Sequence, residues 1–513
     1  MKYSIKVDQA IRDTVSQLSD ETLLAYVTCP NYRAEDMSEI NDSYLMFLHP
    51  NTLETSKQAI QTLRSQIQHP ILVASDMEAG PGTAIFGATT FPSMRAVAET
   101  KCPQLAYEMG KIAALEAREI GYNWTFAPCV DILGNHFSPI TSIRSAGEDV
   151  KDVLSYTTQY MKGLQDHGLI ATAKHFPGDG YSAFDQHLTT AINPLSKEEW
   201  DQSFRLVYQN IINEGVRAMM PGHIALPCYD EIDPKTGLFP PATLSSLLLT
   251  HLLKQDLGFE GLIISDATEM SGFCGYINFY DACARFLMSG GDVLLFAHPN
   301  PTFIAEMKKR MQTGQLTKDV LIDRVCRILA FCQDHFSITY PLHFHLAEHQ
   351  KIADEVVRQS VRIYRDRHQI LPIRMHHPKI AHVVIAQQIQ MQIVQDFTSG
   401  LKQYAEVSEF IDPGCGKIKA IAQSGEYDYI VVTIGCTQWY GTNQITLSGT
   451  IARNMMNGWT KYNTPVIFVD FGNPYIHEEY DPLIDTLIYT YGYAAHTIEC
   501  VLCRIFQNQQ FKE

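Results

Sequence analysis

Short apolar runs alternate with longer amphipathic stretches through the first two thirds of this chain, and that alternation constrains the fold most. YLMFLH (44–49), ILVASD (71–76), NWTFAP (123–128), IATAKHF (170–176), AMMPGH (218–223), GLIISD (261–266) and DVLLF (292–296) have the continuous apolar character of strands buried on both faces of a parallel sheet. Helix-period stretches lie between them. One is 104–120, where Leu105, Met109, Ile112, Ala113 and Ile120 form a single stripe. Repeated β-then-α over about 340 residues predicts a parallel barrel or a doubly wound sheet. Polar residues at the strand ends favour the barrel: Asp76, Asp131, Lys174 with His175, His223 and Asp266. In a (β/α)8 barrel those ends converge on one mouth. Any one Asp there also suits a helix N-cap, but five successive strands make that reading weaker.

A boundary is expected near 341–349. It divides a TIM-type barrel over 1–345 from a smaller α/β sandwich over 346–513. Ile352, Val356, Val357, Val361 and Tyr364 continue a helical stripe. HVVIA (382–386), DYIVVTIG (428–435), PVIFVDFG (465–472) and DTLIYTYG (485–492) supply four further buried-type strands. His343, His345, Glu348 and His349 fall in the boundary segment and are expected to be solvated, not metal-binding. Cys500 and Cys503 are expected to be a thiol pair on a buried helix face.

Composition narrows the partners. Lys plus Arg total 40 against 56 Asp plus Glu, a net charge of −16 with no basic run, which argues against nucleic acid. No run of 18 apolar residues occurs and the first 20 residues do not resemble a signal peptide. With cysteines scattered mostly singly, the expectation is a reduced, cytoplasmic protein that needs no membrane, metal or organic cofactor.

Two segments carry chemistry. In 173–187, a strand delivers Lys174 and His175, and Pro177, Gly178 and Gly180 break it into a loop that holds Asp185 and His187. An aspartate two residues from an imidazole fixes its tautomer and raises the basicity of the other nitrogen, which makes a proton shuttle. In 259–270, an apolar strand delivers Ser265 and Asp266, a carboxylate suited either to capping the next helix or to facing an electron-poor carbon. Asp131, Glu148 and Glu269 are less well placed by pattern and receive no role.

KHFPGDG (174–180) with DQH (185–187), the stretch PATLSSLLLTHLLKQDLGFEGLIISDATEM (241–270), GATTFPSM (87–94) and SIRSAGED (142–149) resemble glycoside hydrolase family 3, specifically its bacterial β-N-acetylglucosaminidase branch. QSVRIYRDRHQILPI (359–373) resembles the opening of that family's second domain. The resemblance implies a retaining exo-acting β-N-acetylhexosaminidase that works through a covalent glycosyl-enzyme. Asp266 would be its nucleophile and His187 its general acid and base, with Asp185 as partner. Asp76, Arg144, Lys174, His175 and His223 match positions that hold sugar hydroxyls, and Met270 matches a pocket-lining residue. Gly178 and Gly180 would let the dyad loop swing in. A phosphorylase that uses inorganic phosphate as acceptor, a β-glucosidase and a non-catalytic sugar-binding protein are the alternatives. The chain departs from the branch at Asp179, where His is usual, at Asp76-Met-Glu78-Ala79-Gly80, where an acidic-Gly-Gly run is usual, and at Ala146, where Phe is usual.

Overall fold

The computed structural model describes residues 2–33, 43–340, 346–387, 389–436, 441 and 445–506. Eight parallel strands among them form the first layer: β1 (Thr28–Cys29), β2 (Leu45–Phe47), β3 (Leu72–Ser75), β4 (Trp124–Thr125), β5 (Ile170–Phe176), β6 (Ala218–Pro221), β7 (Leu262–Ile263) and β8 (Leu294–Leu295). Ladders join β2 through β7 in sequence order, and β1 pairs with β8. Two short sets of backbone bonds complete the ring. Phe47 N donates to Pro30 O at 3.0 Å and Tyr32 N to Phe47 O at 2.8 Å. Val293 N donates to Ile263 O at 3.0 Å and Ser265 N to Val293 O at 2.9 Å. The closed ring has no sheet edge to protect, which is how short strands remain stable.

Helices cover the outside. They include α1 (Leu53–Gln66), α2 (Pro103–Ile120), α3 (Val150–Asp166), α4 (Phe204–Asn213), α5 (Phe279–Ser289), α6 (Pro301–Gln312) and α7 (Lys318–Phe336). All five stripe residues expected on α2 are buried. None of the described helices is long and apolar enough to cross a membrane.

Helix α8 (Leu346–Ser360) leads to a second sheet. Its strands are β9 (Arg362–Asp366), β10 (Lys379–Gln387), β11 (Glu406–Ile411), β12 (Tyr429–Cys436), β13 (Val466–Asp470) and β14 (Thr486–Tyr489), in the order β9-β14-β13-β12-β10-β11. Only β9 runs antiparallel to its neighbour. Separate apolar clusters pack around this sheet, one with Val383, Val432 and Phe468 and the other with Ile380, Val431 and Ile467. Alternation along the strands explains this two-sided core.

Three expectations need correction. Tyr364 lies on β9, because the helix ends at Ser360. His349 is buried and its Nδ1 meets Glu116 Oε1 on α2 at 2.7 Å, so it is not solvated. His343 and His345 lie outside the described residues. Cys500 is buried on the helix Thr497–Phe506, but Cys503 is only partly so.

Candidate active site

The strand ends bring the polar residues together at one mouth. From β5, Lys174 Nζ reaches Asp76 Oδ1 at 2.8 Å and Glu78 Oε1 at 2.6 Å, both beyond β3. Arg144, on the loop after β4, grips Glu78 with two parallel bonds of 2.7 Å. That bidentate geometry fixes the guanidinium plane. Burial raises the Glu78 carboxyl pKa, but Arg144 and Lys174 outweigh it and hold the group well below the usual carboxylate range. Burial lowers the Lys174 pKa, but Asp76 and Glu78 raise it further. The Asp76 side chain is 42% exposed against 5% for Lys174, so Asp76 is the more exposed partner of that pair.

His175 is oriented from below. Its Nδ1 lies 2.7 Å from Asp131 Oδ2, and its Nε2 faces Arg144 Nη2 at 3.5 Å. Asp131 also accepts from the backbone N–H of His175 and Asp179 and from the Cys129 thiol. Pattern reasoning gave Asp131 no role, yet it organises the whole KHFPGDG turn. Cys129, Asp131 and His175 offer ligand atoms within 4.8 Å of one another. Burial and the charge of Asp131 push the Cys129 thiol pKa well up, so it serves as a hydrogen-bond donor to the carboxylate.

In this structure the loop after β5 packs closely at both of its glycines. A Cβ on Gly178 would come within 2.2 Å of the Phe204 ring, and one on Gly180 within 2.0 Å of Ile132 O, so both glycines are needed for close packing. Beyond them, His187 Nδ1 lies 2.6 Å from Asp185 Oδ1, which also accepts the His187 backbone N–H at 2.8 Å. Asp185 is fully buried, and its Oδ2 accepts from Gly441 N at 2.7 Å. The second domain thus supplies one bond to the dyad. The carboxylate holds the proton on Nδ1 and leaves Nε2 as the atom for proton transfer.

Asp266 follows β7. Its backbone N donates to Pro221 O at 3.2 Å, and its Oδ1 accepts from Ala267 N at 2.8 Å. Burial raises its pKa, but His175, His223 and His187 together lower it, so it stays ionised. His187 and Asp266 are near enough to interact electrostatically. Backbone bonds join their two segments: Ser271 N to His187 O at 3.0 Å and Gly272 N to Gln186 O at 3.1 Å. His223 is buried with both ring nitrogens engaged by the protein, Nδ1 with Thr243 Oγ1 at 3.1 Å and Nε2 with Ala267 O at 3.0 Å. The bond to Ala267 ties His223 to the Asp266 loop. Met270 is 7% exposed on that same loop.

An ionised aspartate, an Asp–His dyad and a lysine–arginine–carboxylate network thus stand at the C-terminal mouth of a parallel barrel, the face on which barrel enzymes carry their active sites. The chain belongs to glycoside hydrolase family 3: residues 44–331 match the Glycosyl hydrolase family 3 N terminal domain. A Beta-N-acetylglucosaminidase/beta-glucosidase of Cellulomonas fimi is 29% identical over 96% of this chain and 93% of its own length. A Beta-hexosaminidase of Glaesserella parasuis is 31% identical over 54% of this chain and 85% of its own length. Among solved structures, the Beta-glucoside phosphorylase BglX superposes with a TM-score of 0.88 at 24% identity, covering 99% of this chain and 96% of that one. A family 3 beta-N-acetylglucosaminidase from Paenibacillus superposes at 0.80 with 20% identity, covering 96% and 97%.

Proposed function

We propose that the protein is a retaining β-N-acetylhexosaminidase that releases terminal β-linked N-acetylglucosamine from small oligosaccharides or cell-wall fragments. In this reading Asp266 attacks the anomeric carbon while His187, protonated, gives its Nε2 proton to the departing oxygen. A covalent glycosyl-aspartate forms. The now neutral imidazole takes a proton from water, which attacks C1 and releases the sugar with its configuration retained. Asp76, Arg144, Lys174 and His175 hold the hydroxyls, and Glu78 and Asp131 hold those residues in position. The observation that carries the reading is the dyad. Asp185 is fully buried and receives bonds on both oxygens, and backbone bonds join the His187 segment to the loop after Asp266, which supports a shared site. The names of the Cellulomonas and Glaesserella relatives support the glycone.

Purified protein is expected to release chromophore from an aryl β-N-acetylglucosaminide. Asp266→Asn should abolish release, and Asp185→Asn should lower kcat by roughly 10²–10⁴ through loss of the correct tautomer. Near-full activity in Asp266→Asn would overturn the nucleophile assignment.

A second reading has one specific observation behind it. The acid/base group is an imidazole, which is neutral when the glycosyl-enzyme opens and does not repel a phosphate dianion as a carboxylate would. The BglX neighbour is named as a phosphorylase. Turnover in phosphate that yields a sugar 1-phosphate would select this reading. Identical rates and products with and without phosphate would exclude it.

A further inference from the structure

A cavity of about 550 Å³ opens on the flank of the barrel, beyond the ends of β7, β8 and β1. Arg33, Glu269, Tyr280, Phe296 and His298 are among its walls. Glu269 stands three residues beyond Asp266 on one loop. His49, at the end of β2, feels the charges of Asp76, Glu269 and Arg33 together, and its ring lies 5.6 Å from that of Phe296.

Stereochemistry assigns this flank to one part of the sugar. Right-handed β–α–β crossovers run the strands anticlockwise when the barrel is viewed into its mouth. A β-D-pyranoside viewed from the face of its leaving group numbers clockwise from C1. With Asp266 beneath C1, C1 sits over β7. Asp76 at β3, four strands away, then receives the C4 side. C2 and C3 turn toward β6, β5 and β4, where Lys174, His175 and Arg144 stand. C5 and C6 turn toward β8, β1 and β2, and so toward the cavity.

The space far exceeds a hydroxymethyl group and lies within the roughly 300–1,000 Å³ of small-molecule pockets. Its lining has both charge signs, in Arg33 and Glu269, beside aromatic rings. Hydroxyl groups use donors and acceptors alike, whereas an anion would face the Glu269 carboxylate. The Nε2 of His298 is buried without a hydrogen-bond partner among the described residues, which suits a hydroxyl ligand. Phe296 holds φ +66 at the end of β8, a left-handed conformation unusual for a bulky residue and concentrated at ligand sites.

We propose that this cavity is a subsite for a sugar ring attached through O6 of the glycone, so that the enzyme cleaves β-glycosides of 6-O-glycosylated sugars and releases the intact disaccharide. The inference rests on the β-glycosidase reading above. Water still enters at C1 and the aglycone still leaves with the proton from His187; the 1→6 bond is untouched.

The test compares aryl β-glycosides of N-acetylglucosamine and of glucose, each plain, 6-O-glucosylated and 6-phosphorylated, with products identified by mass spectrometry. The 6-O-glucosylated arm of the preferred glycone should exceed its plain counterpart at least tenfold in kcat/KM and yield the disaccharide. Thr302→Trp, at an exposed position on the cavity wall, should reduce that preference at least tenfold. Equal or poorer turnover of the 6-O-glucosylated arm, or preference for the 6-phosphate, overturns this subsite while leaving the glycosidase reading intact. No turnover of any arm overturns the glycosidase reading and this inference with it.

Discussion

Asp179 is 2% exposed, and its Oδ2 has no hydrogen-bond partner among the described residues, while Oδ1 accepts from Gly180 N at 2.7 Å. Burial and the neighbouring charge of Asp131 raise its pKa to about 7. The folded state therefore favours the neutral acid relative to the unfolded chain. That contribution is complete below about pH 4 and is lost as pH rises through about 7. Asp179→Asn keeps an acceptor for Gly180 and removes the charge. The variant should gain stability over the parent progressively between about pH 4 and about pH 7 and hold a constant advantage above that. Thermal melts across the range read this, and a Tm difference independent of pH would contradict it. The same residue marks where sequence stopped being informative. The Asp185–His187 contact is legible because the two lie two positions apart on one loop, and the placement of Asp266 because an apolar strand delivers it. Glu78 and Asp131 are not, because an acidic residue after a strand looks the same whether it caps a helix or binds Lys174, whose partner Asp76 lies 98 positions earlier in the chain.

Elements are legible when they are long or buried on both faces. The seven-residue run of β5 is entirely buried and stands out. Strand β1 has two residues and exists only through its partners in the ring. β9 and β11 were missed for a different reason: they are sheet edges with mixed exposure, so no continuous apolar run announces them. Tertiary contact also fixes the segment that carries the dyad. Gly272 N donates to Gln186 O, and a Cβ at Gly272 would lie 2.6 Å from that oxygen and 2.7 Å from His223 Cβ. Gly272→Ala should therefore push the 186–189 segment away from the Asp266 loop. We expect a loss of about 1–3 kcal/mol in stability and a fall in kcat of up to roughly 10² from a displacement near 1 Å. Denaturant titration and steady-state kinetics measure the two. Unchanged kcat would show that the zipper between these loops does not position His187.

The second domain reaches into the first. Ala96, on the barrel side, belongs to the apolar cluster of the second domain, and Ser93 Oγ donates to Tyr491 O at 2.6 Å. Glu99, with a side chain only 3% exposed, pairs with Arg95 at 2.9 Å and with Arg362 of the second domain at 2.7 Å. The Arg95 guanidinium in turn lies 5.9 Å from the ring centres of Tyr475 and Tyr491. Removing one member of a fully buried ion pair costs about 3–5 kcal/mol, and the loss here should be smaller because the Arg362 side chain is 41% exposed and is screened by solvent. Glu99→Ala leaves Arg95 and Arg362 facing each other without the carboxylate, so the loss falls on the interface more than on either core. Calorimetry of the variant should resolve two transitions where the parent gives one. Activity should disappear with the first, because Gly441, delivered by the second domain, holds one oxygen of Asp185. Survival of full activity through the first transition would mean that the barrel alone orients its imidazole, and that the bond from Gly441 is incidental to catalysis.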